Sequence, residues 1–235
     1  MKRADAVSLD PARTGRVIVN SEMVRREISG RFQFPRDRIH LIRNGVEVDQ
    51  HRGGDRRRLR DSWSVPESVC LLLFAGSGWE RKGLAWLRKA LAQMPRERFA
   101  LVVAGRGRPP GSRAANERYV GSLPRIAMPD AYAAADVLVL PTLYDPSANV
   151  CTEALAAGLP VVTTSQNGAA ELIQAGVNGH VIAAPTDTQA IVAAAAYWAE
   201  HPNLRPVPTP QDISLDRNVH ETLDLLTTSA DPRRS

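Results

Sequence analysis

Short apolar runs, unbroken by polar residues, recur through the middle of the chain. Cys70 to Gly76 and Ala100 to Gly105 each end in glycine, and Asp136 to Pro141 ends in proline. Pro160 to Thr164 and His180 to Ala183 are of the same kind, and Tyr119 to Gly121 is a shorter sixth. Continuous rather than alternating apolar runs suit strands buried on both faces of a parallel sheet. Helical patterns lie between them. Leu84, Leu87 and Leu91 repeat at helical spacing, Ala131 to Ala135 is alanine-rich behind Pro129, and Glu153 to Ala157 runs up to Gly158. Ala169 to Ala175 runs up to Gly176, and Thr186 to Glu200 is stopped by Pro202. Strands alternating with helices predict an α/β chain with a doubly wound, Rossmann-like parallel sheet. In such sheets ligands sit beyond the C-terminal ends of the strands.

The flanks read differently. Val17 to Asn20 is a lone strand followed by a helix over Glu22 to Ile28, and Asn44-Gly45 is a turn signal. Residues 49–62 read as a charged linker or surface loop. Pro206 to Pro210 reads as a proline-rich connection, ahead of a last helix with Val219, Leu223 and Leu226 on one face and a polar tail.

Composition narrows the class. Hydrophobic residues make up 43% of the 235, an ordinary globular share. No apolar stretch approaches the roughly 18 residues a membrane span needs, and no apolar run follows the N-terminus as in a signal peptide. The two cysteines, Cys70 and Cys151, have neither disulfide-framework nor zinc spacing, so a reducing, cytoplasmic setting is expected. The net charge of +5 is uneven: residues 1–60 hold 15 Lys and Arg against 8 Asp and Glu. That excess suits either an anionic partner, such as a membrane's inner face, or a solvated basic loop. No aromatics interleave with the basic run, so nucleic acid is not expected.

Three segments could carry chemistry. Gly76-Ser77-Gly78-Trp79-Glu80-Arg81-Lys82-Gly83 is a glycine-rich turn between a strand and a helix, with two adjacent cations. Free amides and cations there attract phosphate, although the P-loop spacing is absent. Lysine is scarce, at three residues, which makes Lys82 notable. In the second segment, Asp145 to Glu153, two acids flank a helix start whose amides, from about Ala148 to Val150, are free. Glu153 is placed in the first turn, where it could accept hydroxyl hydrogen bonds from a sugar or ribose. The same spacing equally suits Asp145 capping a turn and Glu153 favouring the helix dipole. The third, Gly105-Arg106-Gly107-Arg108-Pro109-Pro110-Gly111, departs from a dinucleotide fingerprint because position 110 is proline.

Taken in order, these segments resemble the C-terminal half of a GT-B retaining glycosyltransferase, of family four or the group 1 type. The likeness runs through Val17-Ile18-Val19-Asn20-Ser21-Glu22, Ile42-Arg43-Asn44-Gly45-Val46, Phe74-Ala75-Gly76-Ser77 and Arg81-Lys82-Gly83. It continues through Asp145 to Glu153, Ala154 to Val162, Asn167-Gly168-Ala169-Ala170-Glu171 and Arg217 to Leu223. The Asp-Pro variant at the first acid resembles transferases of bacterial lipopolysaccharide core or exopolysaccharide.

The resemblance implies roles. Arg81 and Lys82 correspond to the cations that hold the donor diphosphate and stabilise the leaving group. Glu153 corresponds to the acid on the donor's ribose, and Asp145 to the acid facing the donor sugar, where the family more often has glutamate. Ala148, Asn149 and Val150 would offer amides near the phosphates or sugar, with Gly76 and Ser77 in the bordering turn. It further implies a nucleotide-sugar donor as substrate, no cofactor or metal, retention of anomeric configuration, and a glycan or lipid-linked acceptor. On this reading residues 1–62 are a remnant of an N-terminal domain plus hinge, 63–202 the donor domain, and 203–235 a crossover helix and tail. The first domain's glycine-rich loop and histidine have no counterpart before residue 15. The expectation is a donor-binding half: a fragment, a truncated product, or a subunit completed by a partner chain.

Overall fold

The computed structural model describes residues 8–204 and 213–229. Its main sheet has six parallel strands: β3 (Cys70–Ala75), β4 (Phe99–Ala104), β5 (Glu117–Gly121), β6 (Val137–Leu140), β7 (Val161–Thr164) and β8 (Gly179–Ile182). Their order is β5-β4-β3-β6-β7-β8. The order therefore reverses between β3 and β6, which opens a crevice beyond the C-terminal ends of those two strands. Every residue of β3, β6 and β7 is buried, as the continuous apolar runs require.

Helices cover both faces. On one, α3 (Leu84–Leu91) buries Leu84, Leu87, Ala90 and Leu91 and packs against α6 (Thr188–Glu200). On the other, α2 (Arg56–Ser62) packs against α4 (Met128–Ala134), with α5 (Asn149–Ala156) alongside. α6 starts where Asp187 accepts a hydrogen bond from the Ala190 amide, two residues later than its sequence pattern suggested.

Four sequence expectations change. Val17–Val19 (β1) is not a lone strand: it pairs in parallel with β2 (Ile39–Leu41), with Val17 opposite Ile39. The helix that follows, α1 (Glu22–Phe32), is capped by Ser21 and runs four residues past Ile28. Residues 169–175 form no α-helix but a 3-10 turn over Gly168–Leu172, held at its start by the Asn167 side chain. Residues 49–62 are not a loop. His51 is buried in a short turn, and α2 begins where Asp55 accepts a hydrogen bond from the Arg58 amide.

The reason for that last change is buried charge. The Arg60 guanidinium, 1% exposed, donates to the carbonyls of Ala134, Pro66 and Val69 and lies 3.3 Å from Asp136. Arg56 donates to Asp136 at 2.9 Å. The Asp136 carboxylate also accepts the Leu71 amide at the start of β3. Arginines that look solvated in sequence are thus bonded into the sheet's flank, which removes part of the basic excess from the surface.

The helix α7 (Leu215–Ser229) returns to the segment after β2, where Arg217 and Asn218 both donate to the Arg43 carbonyl. Its Val219, Leu223 and Leu226 are 47%, 54% and 56% exposed, the apolar face its spacing predicts. The Pro206–Pro210 connection and the polar tail lie outside the described residues. Among those described, no helix is long and apolar enough to cross a membrane.

Candidate functional site

The crevice at the β3/β6 reversal is built by two loops locked together. After β3 the chain turns through Gly76 to Gly83, and after β6 through Pro141 to Ala148. The Arg81 carbonyl accepts both the Leu143 amide and the Thr142 hydroxyl, each at 2.8 Å. Gly83 sits at φ 80°, and a Cβ there would lie 1.9 Å from the Pro141 carbonyl oxygen. Only glycine permits that approach. At Gly76, φ 140°, a Cβ would meet the Lys82 stem at 2.7 Å. The missing side chain is what lets the lysine run beneath the turn.

This locking aims both cations at one carboxylate oxygen. Arg81 Nη1 lies 2.9 Å and Lys82 Nζ 3.3 Å from Asp145 Oδ2. Asp145 and Lys82 are buried and Arg81 is exposed. Arg81 also donates to the Tyr144 carbonyl, while the Tyr144 hydroxyl donates to Glu27 on α1. Asp145 therefore does not cap the helix. The N-cap of α5 is Ala148, with no side-chain cap.

Ala148 does not offer a free amide, contrary to expectation, because its N–H donates to Asn167 Oδ1 at 3.1 Å. The amides of Asn149 and Val150 have no partner among the described residues and point out of the helix start. Glu153 falls in the second turn of α5, not the first, because the helix begins at Asn149. It accepts a hydrogen bond from the Tyr132 hydroxyl at 2.6 Å. Burial, then the neighbouring Glu153 charge, pushes the Tyr132 phenol well above its ordinary range, so it stays a donor. The thiol of Cys151, inside α5, is pushed by burial up to about 12.

Gly76 and Ser77 border the crevice. Ser77 Oγ accepts the Arg106 amide at 3.1 Å and ties the β3 and β4 loops together. Asn20 and Asn44 enter the same concave surface from the β1/β2 unit, facing Lys82 and Asp145. Asn44 donates to the Asn149 side chain at 2.7 Å. Sequence reading missed these two, Tyr132 and Asn167. Asn20, Asn44 and Asn167 lie in segments that carry the family likeness, but nothing in their spacing marked them as site residues, and nothing marked Tyr132. Chemically, Lys82 and two free amides face one opening, Arg81 is joined to it through Asp145, and the Glu153 carboxylate lies one helical turn behind. That set can hold a dianion and the hydroxyls of an attached sugar.

Comparisons with known proteins agree with this architecture. The family profile described as glycosyl transferases group 1 matches residues 70–201, and that of glycosyltransferase family 4 matches residues 8–50. D-inositol 3-phosphate glycosyltransferase 2 of Catenulispora acidiphila is 30% identical over 188 residues, 72% of this chain and 44% of its own. An uncharacterised glycosyltransferase of Methanocaldococcus jannaschii is 31% identical over 180 residues, 69% and 45% of the two chains. The chain thus spans less than half the length of these relatives. Among solved structures, Anabaena HepE in complex with UDP and glucose aligns with TM-score 0.78 at 18% identity, covering 93% of this chain and 64% of that one. WaaG, a glycosyltransferase involved in lipopolysaccharide biosynthesis, gives 0.76 at 23%, covering 95% and 65%. At such identities the structural likeness concerns fold.

Proposed function

This chain belongs to the group 1 glycosyltransferases and has the Rossmann-like fold of the GT-B type, and from that premise we propose that it binds a nucleotide-sugar donor for sugar transfer. The observation that carries the reading is the convergence of Arg81 and Lys82 on Asp145 beside the free Asn149 and Val150 amides. The donor diphosphate takes the place at Arg81 and Lys82, where charge grows on the leaving group as the glycosidic bond breaks. Fixed cations in a partly buried crevice stabilise that charge without reorganising. Asp145 keeps the cations in register and faces the sugar. Glu153, held from behind by Tyr132, accepts the ribose hydroxyls.

UDP is the nucleotide in the HepE complex, so UDP-glucose is the first donor to test. Retention of configuration, independence of metal, and a glycan or lipid-linked acceptor complete the proposal. Arg81 and Lys82 supply the positive charge that a divalent ion supplies elsewhere. The acceptor is held by a second domain facing this crevice, in the same polypeptide or in a partner chain. The exposed apolar face of α7 favours a version in which the donor half acts only once that domain covers it.

Titrating UDP-glucose into the protein with EDTA, and again with magnesium, tests the metal-free reading. Equal affinity supports it; binding that appears only with magnesium contradicts it.

A further inference from the structure

Asn167 is 1% exposed and stands at the start of the 3-10 turn after β7. Its Oδ1 accepts two amides, Ala148 and Ala169, each at 3.1 Å. Its Nδ2 donates to Thr163 Oγ1 at 3.0 Å and approaches Cys151 Sγ at 3.4 Å. The direction of each bond is fixed by chemistry. The Thr163 hydroxyl gives its proton to the Leu140 carbonyl at 2.7 Å, so toward Asn167 it can only accept. The amide therefore cannot flip, and Oδ1 must face the Ala148 N–H.

The backbone repeats the link. The Asp145 amide donates to the Gln166 carbonyl, and the Gly168 amide donates to the Asp145 carbonyl, both at 2.9 Å. The turn thus grips the donor loop at Asp145 on one side and at Ala148 on the other. Between those grips the loop has one path. It leaves Asp145 against Arg81 and Lys82 and starts α5 at Asn149, with the next two amides open.

We propose that Asn167 is a positioning residue of the donor site: through Ala148 it sets the helix start so that the Asn149 and Val150 amides and the two cations meet one diphosphate. This rests on the donor-site reading above. Asn167 touches no reacting atom. It selects for the diphosphate part of the donor, whereas Glu153 is held by Tyr132 through a separate contact.

The test compares UDP, GDP and ADP with their nucleosides by calorimetry, well below the thermal midpoint, for the wild type and Asn167→Ala. Thr163→Val is a second variant that removes the acceptor fixing the amide without altering the donor loop; it replaces Asn167→Ala where that protein does not fold. The expected result is a fall of about tenfold, or about 1.4 kcal/mol, in diphosphate affinity relative to nucleoside affinity. Lower stability with an unchanged ratio, or equal loss of both ligands, overturns the proposal and leaves the donor-site reading in place. A wild type that binds none of the nucleotides contradicts the donor-site reading itself, and the proposal with it.

Discussion

Lys82 Nζ and Asp145 Oδ2 stand 3.3 Å apart, both largely buried, with Arg81 Nη1 2.9 Å from the same oxygen. The pair joins the loop after β3 to the loop after β6 across the point where strand order reverses. One carboxylate oxygen thus keeps two cations within reach of one ligand group. Lys82→Ala and Arg81→Ala should each weaken nucleoside-diphosphate binding, by about 1.5–3 kcal/mol for a charge-assisted contact. Arg81, whose side chain is 49% exposed, belongs at the lower end of that range. Calorimetry with UDP checks it, and unchanged affinity in both variants contradicts the assignment.

Tyr132→Phe removes the hydroxyl that donates to Glu153 at 2.6 Å. A hydrogen bond to a charged group contributes about 1.5–3 kcal/mol. The variant should unfold several degrees lower, at about 2–4 °C per kcal/mol for a chain of this size. Its nucleoside affinity should fall as well, because Glu153 loses its fixed rotamer. A thermal midpoint and a nucleoside affinity both equal to wild type contradict this role.

Asp136→Ala removes the buried carboxylate beside the Arg60 guanidinium and leaves it only the largely exposed Glu67 at 3.5 Å. Breaking one side of a buried pair costs about 3–5 kcal/mol. Urea unfolding should show a loss of that order. A loss below about 1 kcal/mol, the range of exposed pairs, contradicts the burial of the α2 arginines.

Burial pushes both thiols, Cys70 and Cys151, from the ordinary 9.0 up to about 12. Above pH 9 the unfolded chain ionises them while the folded chain does not. Stability is therefore full below pH 9 and falls as pH rises from there toward 12. At pH 8 neither thiol should react rapidly with a thiol reagent until the protein is denatured, when both should. Fast modification of the native protein contradicts this.

Burial also lowers the His51 imidazole. Glu153 and Glu47 pull it back up, and Arg125 adds to the lowering. His40 and His180 are lowered by burial too. The unfolded chain takes up these protons first as pH falls, so stability is present above pH 6.5 and lost below it. Thermal midpoints between pH 8 and 5 should fall on the acid side, less steeply in His51→Leu. A flat profile, or an equal slope in the variant, contradicts the burial of a neutral imidazole.

The sheet was legible because its central strands, such as Leu71 to Phe74 and Val137 to Leu140, are apolar on both faces, and β3 and β6 close on Gly76 and Pro141. The site's location was legible because strand ends and glycine turns mark it. What sequence hid was lateral. Arg56 and Arg60 look solvated until Asp136, far along the chain, is placed beside them. Asn167 and Tyr132 lie on elements of their own, and no spacing links them to Ala148 or Glu153. Glu153 moved into the second turn because α5 begins at Asn149, behind an Ala148 that carries no side-chain cap.

Nucleotide-sugar binding in this crevice is tested by the thermal midpoint of the wild type and of Glu153→Ala with UDP-, GDP- and ADP-sugars. A donor at about 100 times its Kd adds about 2.7 kcal/mol, a shift of several degrees at about 2–4 °C per kcal/mol. A shift with one nucleotide class, lost in Glu153→Ala, is the expected result. A cooperatively unfolding wild type that shifts with none of these donors contradicts it.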